Sequence, residues 1–343
     1  MTGDILDEAY LRLRATGPEW GENQLTNHGP MAVEVLVRRG HAATVDAWVD
    51  SYLNRLDDLP STVERITDDT WPAALGDGRR VGDWTAYFEE RLADQPWRAV
   101  LAIWWPRLLP GIMAGATHGL IRTGHVVRTL LAGDESEPAR AELARGLAFW
   151  TARSRTVPGV VAPAGELDAT AALAGVPRIP DQSGNLAHRF GQFASMDAWP
   201  TALRALRAPV EPRDVLDRLA DLVHAATVHY LHHGHASPIL LVHAATAPNA
   251  MRHALPALPP ELWAPSLTAV WGAAAAMVSA FAPVHPASVQ VTAGTVDDVL
   301  EQAVAHGDEH VIKFSDTAAE AYELTTDKRT LQAAVRAAGI IGH

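Results

Sequence analysis

One five-residue run, Ser288-Val289-Gln290-Val291-Thr292, is all that this 343-residue chain offers as a β-strand. Almost everywhere else apolar residues recur three and four positions apart, the spacing of a helix with one face in a core. From Asp4 to Arg14 that face is Ile5, Leu6, Ala9, Tyr10 and Leu13. The stretches from Ala42 to Leu56, from Glu137 to Arg155 and from Asp327 to Ile341 read the same way. Asp83 is expected to cap a helix that ends near Ala93, and Pro212 to sit in the first turn of one from Glu211 to Tyr230. The stretches from Trp97 to Leu109 and from Glu261 to Ala282 are apolar on most sides, as buried helices are. The sum predicts an all-α protein of about ten helices. A single domain over residues 1–343 is expected, with a Pro/Gly-rich irregular segment at about 156–196 serving as a linker or pocket lid.

Composition removes several classes of function. There is no cysteine, so disulfides, thiolate metal sites, iron–sulfur clusters and cysteine nucleophiles are excluded together. A formal net charge of −12 without a basic tract argues against nucleic acid as a partner. The longest apolar stretch, from Leu267 to Pro283, is short for a membrane span and rich in alanine, so a core helix and no membrane partner are expected. The first residues lack a basic segment followed by an apolar one, and a cytoplasmic protein is the expectation. No pattern here speaks to oligomeric state. The pair Gly76 and Gly78 does not follow a strand and lacks dinucleotide spacing. Nucleophile-elbow, HExxH, P-loop, EF-hand and zinc-deaminase signatures are absent.

What remains is an excess of histidine, sixteen in all, beside only two lysines, Lys313 and Lys328. A helix restarts at Gly307-Asp308-Glu309-His310, where Asp308 is a good N-cap and Glu309 suits the first turn. His310 and Lys313 are one turn apart on a half-apolar face, read either as a snorkelling lysine beside a satisfied histidine or as paired chemistry. His28 stands before Pro30 at a helix entrance, as ligand or as cap. His118 lies among small residues, which leave room for a ligand or a closely packed helix, and His125 follows on the same face. His243 lies in an apolar segment and needs a partner, whether a backbone carbonyl, another histidine or a metal. The run from His229 to His235 looks like a metal site but equally suits an exposed helix C-terminus with adventitious metal binding. Isolated histidines on converging helices are one known way to build a metal centre, and imidazole-rich sites suit iron, zinc, copper or nickel.

The blocks Asn27-His28-Gly29-Pro30-Met31-Ala32, His118-Gly119-Leu120-Ile121-Arg122-Thr123-Gly124-His125, Leu241-Val242-His243-Ala244-Ala245-Thr246 and Asp308-Glu309-His310-Val311-Ile312-Lys313 together resemble the questin oxidase family in order and spacing. That resemblance extends over nearly the whole chain. It implies an all-helical, flavin-free oxygenase that opens the quinone ring of anthraquinone-type aromatic polyketides of secondary metabolism, with O2 and a small aromatic substrate as partners. It further implies a non-heme Fe(II) held by His28, His118, His243 and His310 together with Lys313, carboxylated by CO2 to a carbamate. His306, seven residues before Lys313, is the alternative to His310. His125 is expected as a substrate acid/base, or as an outer donor to the ligands. Physically, a buried lysine has a depressed pKa, its neutral amine can add CO2, and the resulting anion offsets part of an ion's charge in an all-imidazole shell. O2 would bind at an open position of the ion, with oxidative cleavage of a C–C bond beside the carbonyl to follow. The tryptophans and the irregular middle segment are expected to wall a flat aromatic pocket. Three alternatives stand: a metal-free, NADPH-dependent Baeyer–Villiger-type monooxygenase, a zinc hydrolase, and a non-catalytic helical binding protein.

Overall fold

The structure is a computed structural model and describes residues 2–342. The fold is all-α. Packing groups the chain into two compact units, Met1–Thr156 with His253–Pro259, and Val157–Arg252 with Pro260–His343.

The first unit contains α1 (Thr2–Leu13), α2 (Gly29–Arg38), α3 (Val45–Leu53), α4 (Trp71–Ala74), α5 (Val81–Asp94), α6 (Trp97–Leu108), α7 (His118–Leu131) and α8 (Glu137–Ala152). Helix α8 is its centre, buried along most of its length and packed against α5 and α7. Beside it Trp84, Phe88 and Trp104 meet ring to ring, with Tyr87 and Trp71 at their edges. Six of the eleven tryptophans, Trp84, Trp104, Trp105, Trp150, Trp199 and Trp271, are fully buried core residues. Large rings bury the most apolar area per residue, and an alanine-rich chain with few phenylalanines fills its core with them. Asp83 is not a cap. It is the third residue of α5, buried, and accepts hydrogen bonds from the Val63 and Glu64 amides while pairing with Arg80. A strap of loop is thus fastened to the helix where the sequence suggested only a helix start.

The second unit contains α9 (Ala169–Ala174), α10 (Leu186–Gly191), α11 (Ala198–Arg204), α12 (Asp214–His233), α13 (Pro238–Leu241), α14 (His243–Ala254), α15 (Trp263–Phe281), α16 (Val296–His306), α17 (Glu309–Thr325) and α18 (Lys328–Ile340). Helices α12, α17 and α18 pack against one another. The stretch Pro260–Phe281 is long and apolar enough to cross a membrane by length and composition, and 78% of its apolar window is buried inside the protein. The Pro/Gly-rich segment is fastened to α15 rather than free of it: Ile179 N–H bonds to Ser279 O, Gln182 to Ser279 O and Ala282 O, and Arg189 to Ala280 O. The run Ser288–Thr292 forms no strand, although its burial alternates as a strand's would. Among the described residues no strand pairs with it. The strands among the described residues are Glu19–Trp20 and Leu25–Thr26, a two-residue antiparallel pair.

One ionic contact lies deep in the first unit. Arg122 on α7 donates Nε and Nη2 to the two oxygens of Glu142 on α8, at 2.5 and 2.8 Å, with both side chains buried. Removing one partner leaves a buried charge alone. Arg122→Ala should therefore lower the unfolding free energy by about 3–5 kcal/mol in urea titrations. Arg65→Ala, which breaks an exposed pair with Glu90, should change it by less than about 1 kcal/mol.

Candidate metal centre

Four histidines stand at the N-terminal ends of four helices: His28 is the residue before α2, His118 begins α7, His243 begins α14, and His310 is second in α17. All four are buried.

In the first unit His28 does not cap its helix: its side chain makes no cap hydrogen bond. Its place is set through the backbone. Its N–H donates to Tyr52 Oη at 2.7 Å, and Asn27 binds Gly17 O and Thr16 Oγ1 through Nδ2 while accepting the Gly29 N–H. Trp48 stacks on the Tyr52 ring at 4.6 Å. His118 is delivered by an unusual turn. Gly115, Ala116 and Thr117 have φ of +54°, +55° and +77°, three left-handed residues in succession. Ala116 and Thr117 each cost about 1–2 kcal/mol there, and such strain gathers at functional sites. At Gly115 a Cβ would also lie 2.6 Å from the Phe149 ring. The turn brings the Gly115 carbonyl back onto His118, whose Nδ1–H donates to it. That leaves His118 Nε2 with a lone pair, 2.7 Å from His28 Nε2.

In the second unit His243 repeats the arrangement. Its Nδ1 donates to Leu240 O, three residues back, at 3.2 Å. Burial first, then Lys313 and His310, hold its pKa well below the usual imidazole range, so it is neutral. The His310 ring lies edge-on to His243 at 6.1 Å. Asp308 caps α17 through the His310 and Val311 amides, as its sequence position predicts. The same carboxylate lies 3.4 Å from His310 Nδ1. Gly307, left-handed at φ +79°, ends α16 just before it. Lys313 follows one turn on, 1% exposed, and among the described residues its Nζ meets no hydrogen-bond partner. It does not snorkel. Burial lowers its pKa to about 7 against the pull of Glu309 and Asp308.

The buried histidines His28 and His118 of the first unit and His243 and His310 of the second could hold a metal ion. The donor set fits such an ion. Metal-bound histidine commonly donates its second ring N–H to a carbonyl, which fixes the tautomer and frees the other nitrogen. His118 and His243 both do this.

His306 is used elsewhere. Its Nε2 donates to Ile341 O at 3.1 Å and its Nδ1 accepts the Asp308 N–H, so His310 is the histidine that joins the group. His125 is not among the four. It lies two turns beyond His118 with Nδ1 2.8 Å from Glu34 Oε2, and Arg128 binds the same carboxylate. Burial would raise the Glu34 pKa, but Arg128 and His125 together hold it below the usual carboxylate range. The His229–His235 run differs from an exposed, charge-favoured helix end. The His229 and His233 rings stack at 3.9 Å, and burial pushes His229 down to about 3. Residues missed from the sequence include Glu34, Tyr52 and the 115–117 turn. Glu34 had a signal, a lone charge inside the apolar run from Met31 to Val37. The turn had none, since neither alanine nor threonine favours a left-handed backbone.

No protein-family model matches this chain, and no curated protein matches it significantly.

The Lys313 environment carries a sign that can be measured in metal-free protein. Below about pH 7 the amine is protonated in both folded and unfolded chains, and the fold bears the full cost of a buried charge. From there up to about 10.5 only the unfolded chain holds the proton, so stability rises with pH through that window. Lys313→Met should stabilise the metal-free protein at pH 7 by on the order of a few kcal/mol. The gain should shrink as pH approaches 10, as read by denaturant titration at several pH values.

Proposed function

We propose that this chain is a non-heme iron oxygenase that uses O2 to cleave a carbon–carbon bond beside the carbonyl of an anthraquinone- or anthrone-like aromatic polyketide. The observation that carries the reading is the four-histidine group. The histidines of four separate sequence blocks, 90 residues apart for His28 and His118, are the same four buried residues that could hold a metal ion. Those blocks are the ones that resemble the questin oxidase family.

A bound ferrous ion would supply O2 binding and one-electron chemistry that no side chain offers. His28, His118, His243 and His310 would hold it through ring nitrogens. The Lys313 amine is neutral in a large fraction of molecules near pH 7, which is the form that adds CO2. As a carbamate it would set an anion among imidazole ligands and near the positive N-terminal end of α17, where negative charge is favoured. His125, held by the Glu34 carboxylate at Nδ1, would act as acid/base toward a substrate phenol. A carboxylate on one ring nitrogen fixes the tautomer and raises the basicity of the imidazole. No step in this reading needs NADPH.

Oxygen consumption tests the reading. Iron-loaded protein with an anthrone or a hydroxyanthraquinone should consume O2 in proportion to ring-opened product. Metal-stripped protein and His243→Ala should lose at least about 100-fold in rate, the upper end of losses seen when support of a metal site is removed. Turnover by stripped protein that requires NADPH would contradict it, as would hydrolysis of an ester substrate without O2.

A further inference from the structure

We propose that Glu34 and Glu320 are positioning residues for the metal ligands, each locking one pair of ligand-bearing helices in register. The inference rests on the metal reading above and adds two residues outside the ligand set.

The same construction occurs twice. In the first unit, α2 follows His28 and α7 begins with His118. Glu34 of α2, six residues after His28 and 2% exposed, is met from α7 by Arg128 Nε on Oε1 at 2.9 Å, and on Oε2 by His125 Nδ1 at 2.8 Å and by Arg128 Nη2. In the second unit, α14 begins with His243 and α17 carries His310. Glu320 of α17, ten residues after His310 and 6% exposed, is met from α14 by Asn249 Nδ2 at 3.0 Å and Arg252 Nη2 at 2.8 Å. Asn249 and Arg252 lie six and nine residues after His243. In each unit a carboxylate of one ligand helix is bound by an arginine and a second donor of the other.

Such a tie has a particular physical consequence. A buried ion pair adds little net stability, because desolvation offsets most of its attraction, but a helix that slides or turns breaks it and strands the charges. The penalty therefore falls on wrong registers rather than on unfolding alone. The ties lie about 9 Å and about 15 Å along their helices from the histidines, at 1.5 Å per residue. The bonds that make the ties join residues outside the proposed ligand set, so their effect on an ion would pass through helix placement.

Cobalt(II) is the probe, added to metal-stripped full-length protein, with affinity from competition against a chromophoric chelator and geometry from the visible ligand-field spectrum. Wild type should bind one ion with a defined spectrum. Glu34→Gln and Glu320→Gln should each weaken binding by about 10–100-fold and alter the spectrum. Glu142→Gln, which opens the buried Arg122–Glu142 pair without joining two ligand helices, should destabilise the fold yet keep wild-type affinity and spectrum. If a glutamine variant does not fold, Arg128→Lys, which keeps the charge and loses the fork on Glu34, and Arg252→Lys, which keeps the charge and loses the guanidinium that joins Asn249 to Glu320, should give the same weakening. Wild-type affinity and spectrum in every tie variant would overturn the positioning role and leave the metal reading standing. Equal weakening in Glu142→Gln would also overturn it, since loss of stability would then explain everything. No cobalt binding by wild type would overturn the metal reading and the ties with it.

Discussion

Lys313 is an almost completely buried lysine. It is 1% exposed in a helix buried along most of its length, and burial brings its amine close to neutrality near pH 7. His243 is likewise fully buried and held neutral. A buried neutral nitrogen keeps a lone pair that a metal ion can use, and such an ion would offset part of its desolvation cost. The helix N-termini sharpen this. Their amide ends carry partial positive charge, which opposes a bare cation and welcomes an anion beside it. A metal ion with an anionic partner answers both demands, and a packed apolar core would answer neither.

The histidines of the proposed site are held by means that differ from ordinary core packing. His28 is set by a tyrosine hydroxyl on its amide, His118 by three left-handed residues that turn a carbonyl onto its ring, and His243 by the carbonyl three residues back. In each case the backbone at a helix start, rather than a side-chain rotamer alone, fixes the imidazole. That is the precision an ion demands and an apolar contact does not. In the first unit aromatic residues pack against this framework, Trp48 on Tyr52 and Trp150 on Gly119 of α7.

Much of this was legible in the sequence because the signals were local. Asp308 caps α17 where its type and position say, and the helical periods of α1, α6 and α18 fall within a few residues of their expected ends. Each histidine stood out by its apolar or small neighbours. What failed was what depends on tertiary partners. Asp83 looked like a cap but receives a loop from twenty residues away. Ser288–Thr292 had the alternation of a strand and no strand to pair with. The histidines at the end of α12 looked exposed, yet His229 and His233 stack on each other. Glu34 and Glu320 gain meaning only from the arginines that reach them from another helix.

The central claim is that the four histidines hold an ion, and metal content measures that most directly. Tag-free protein purified without oxygen would be analysed by inductively coupled plasma mass spectrometry beside His118→Ala and a His229→Ala/His233→Ala double variant. The expected result is about one iron per chain, kept in the double variant and lost in His118→Ala. No metal in wild type, or metal that leaves with His229 and His233 and not with His118, would contradict it.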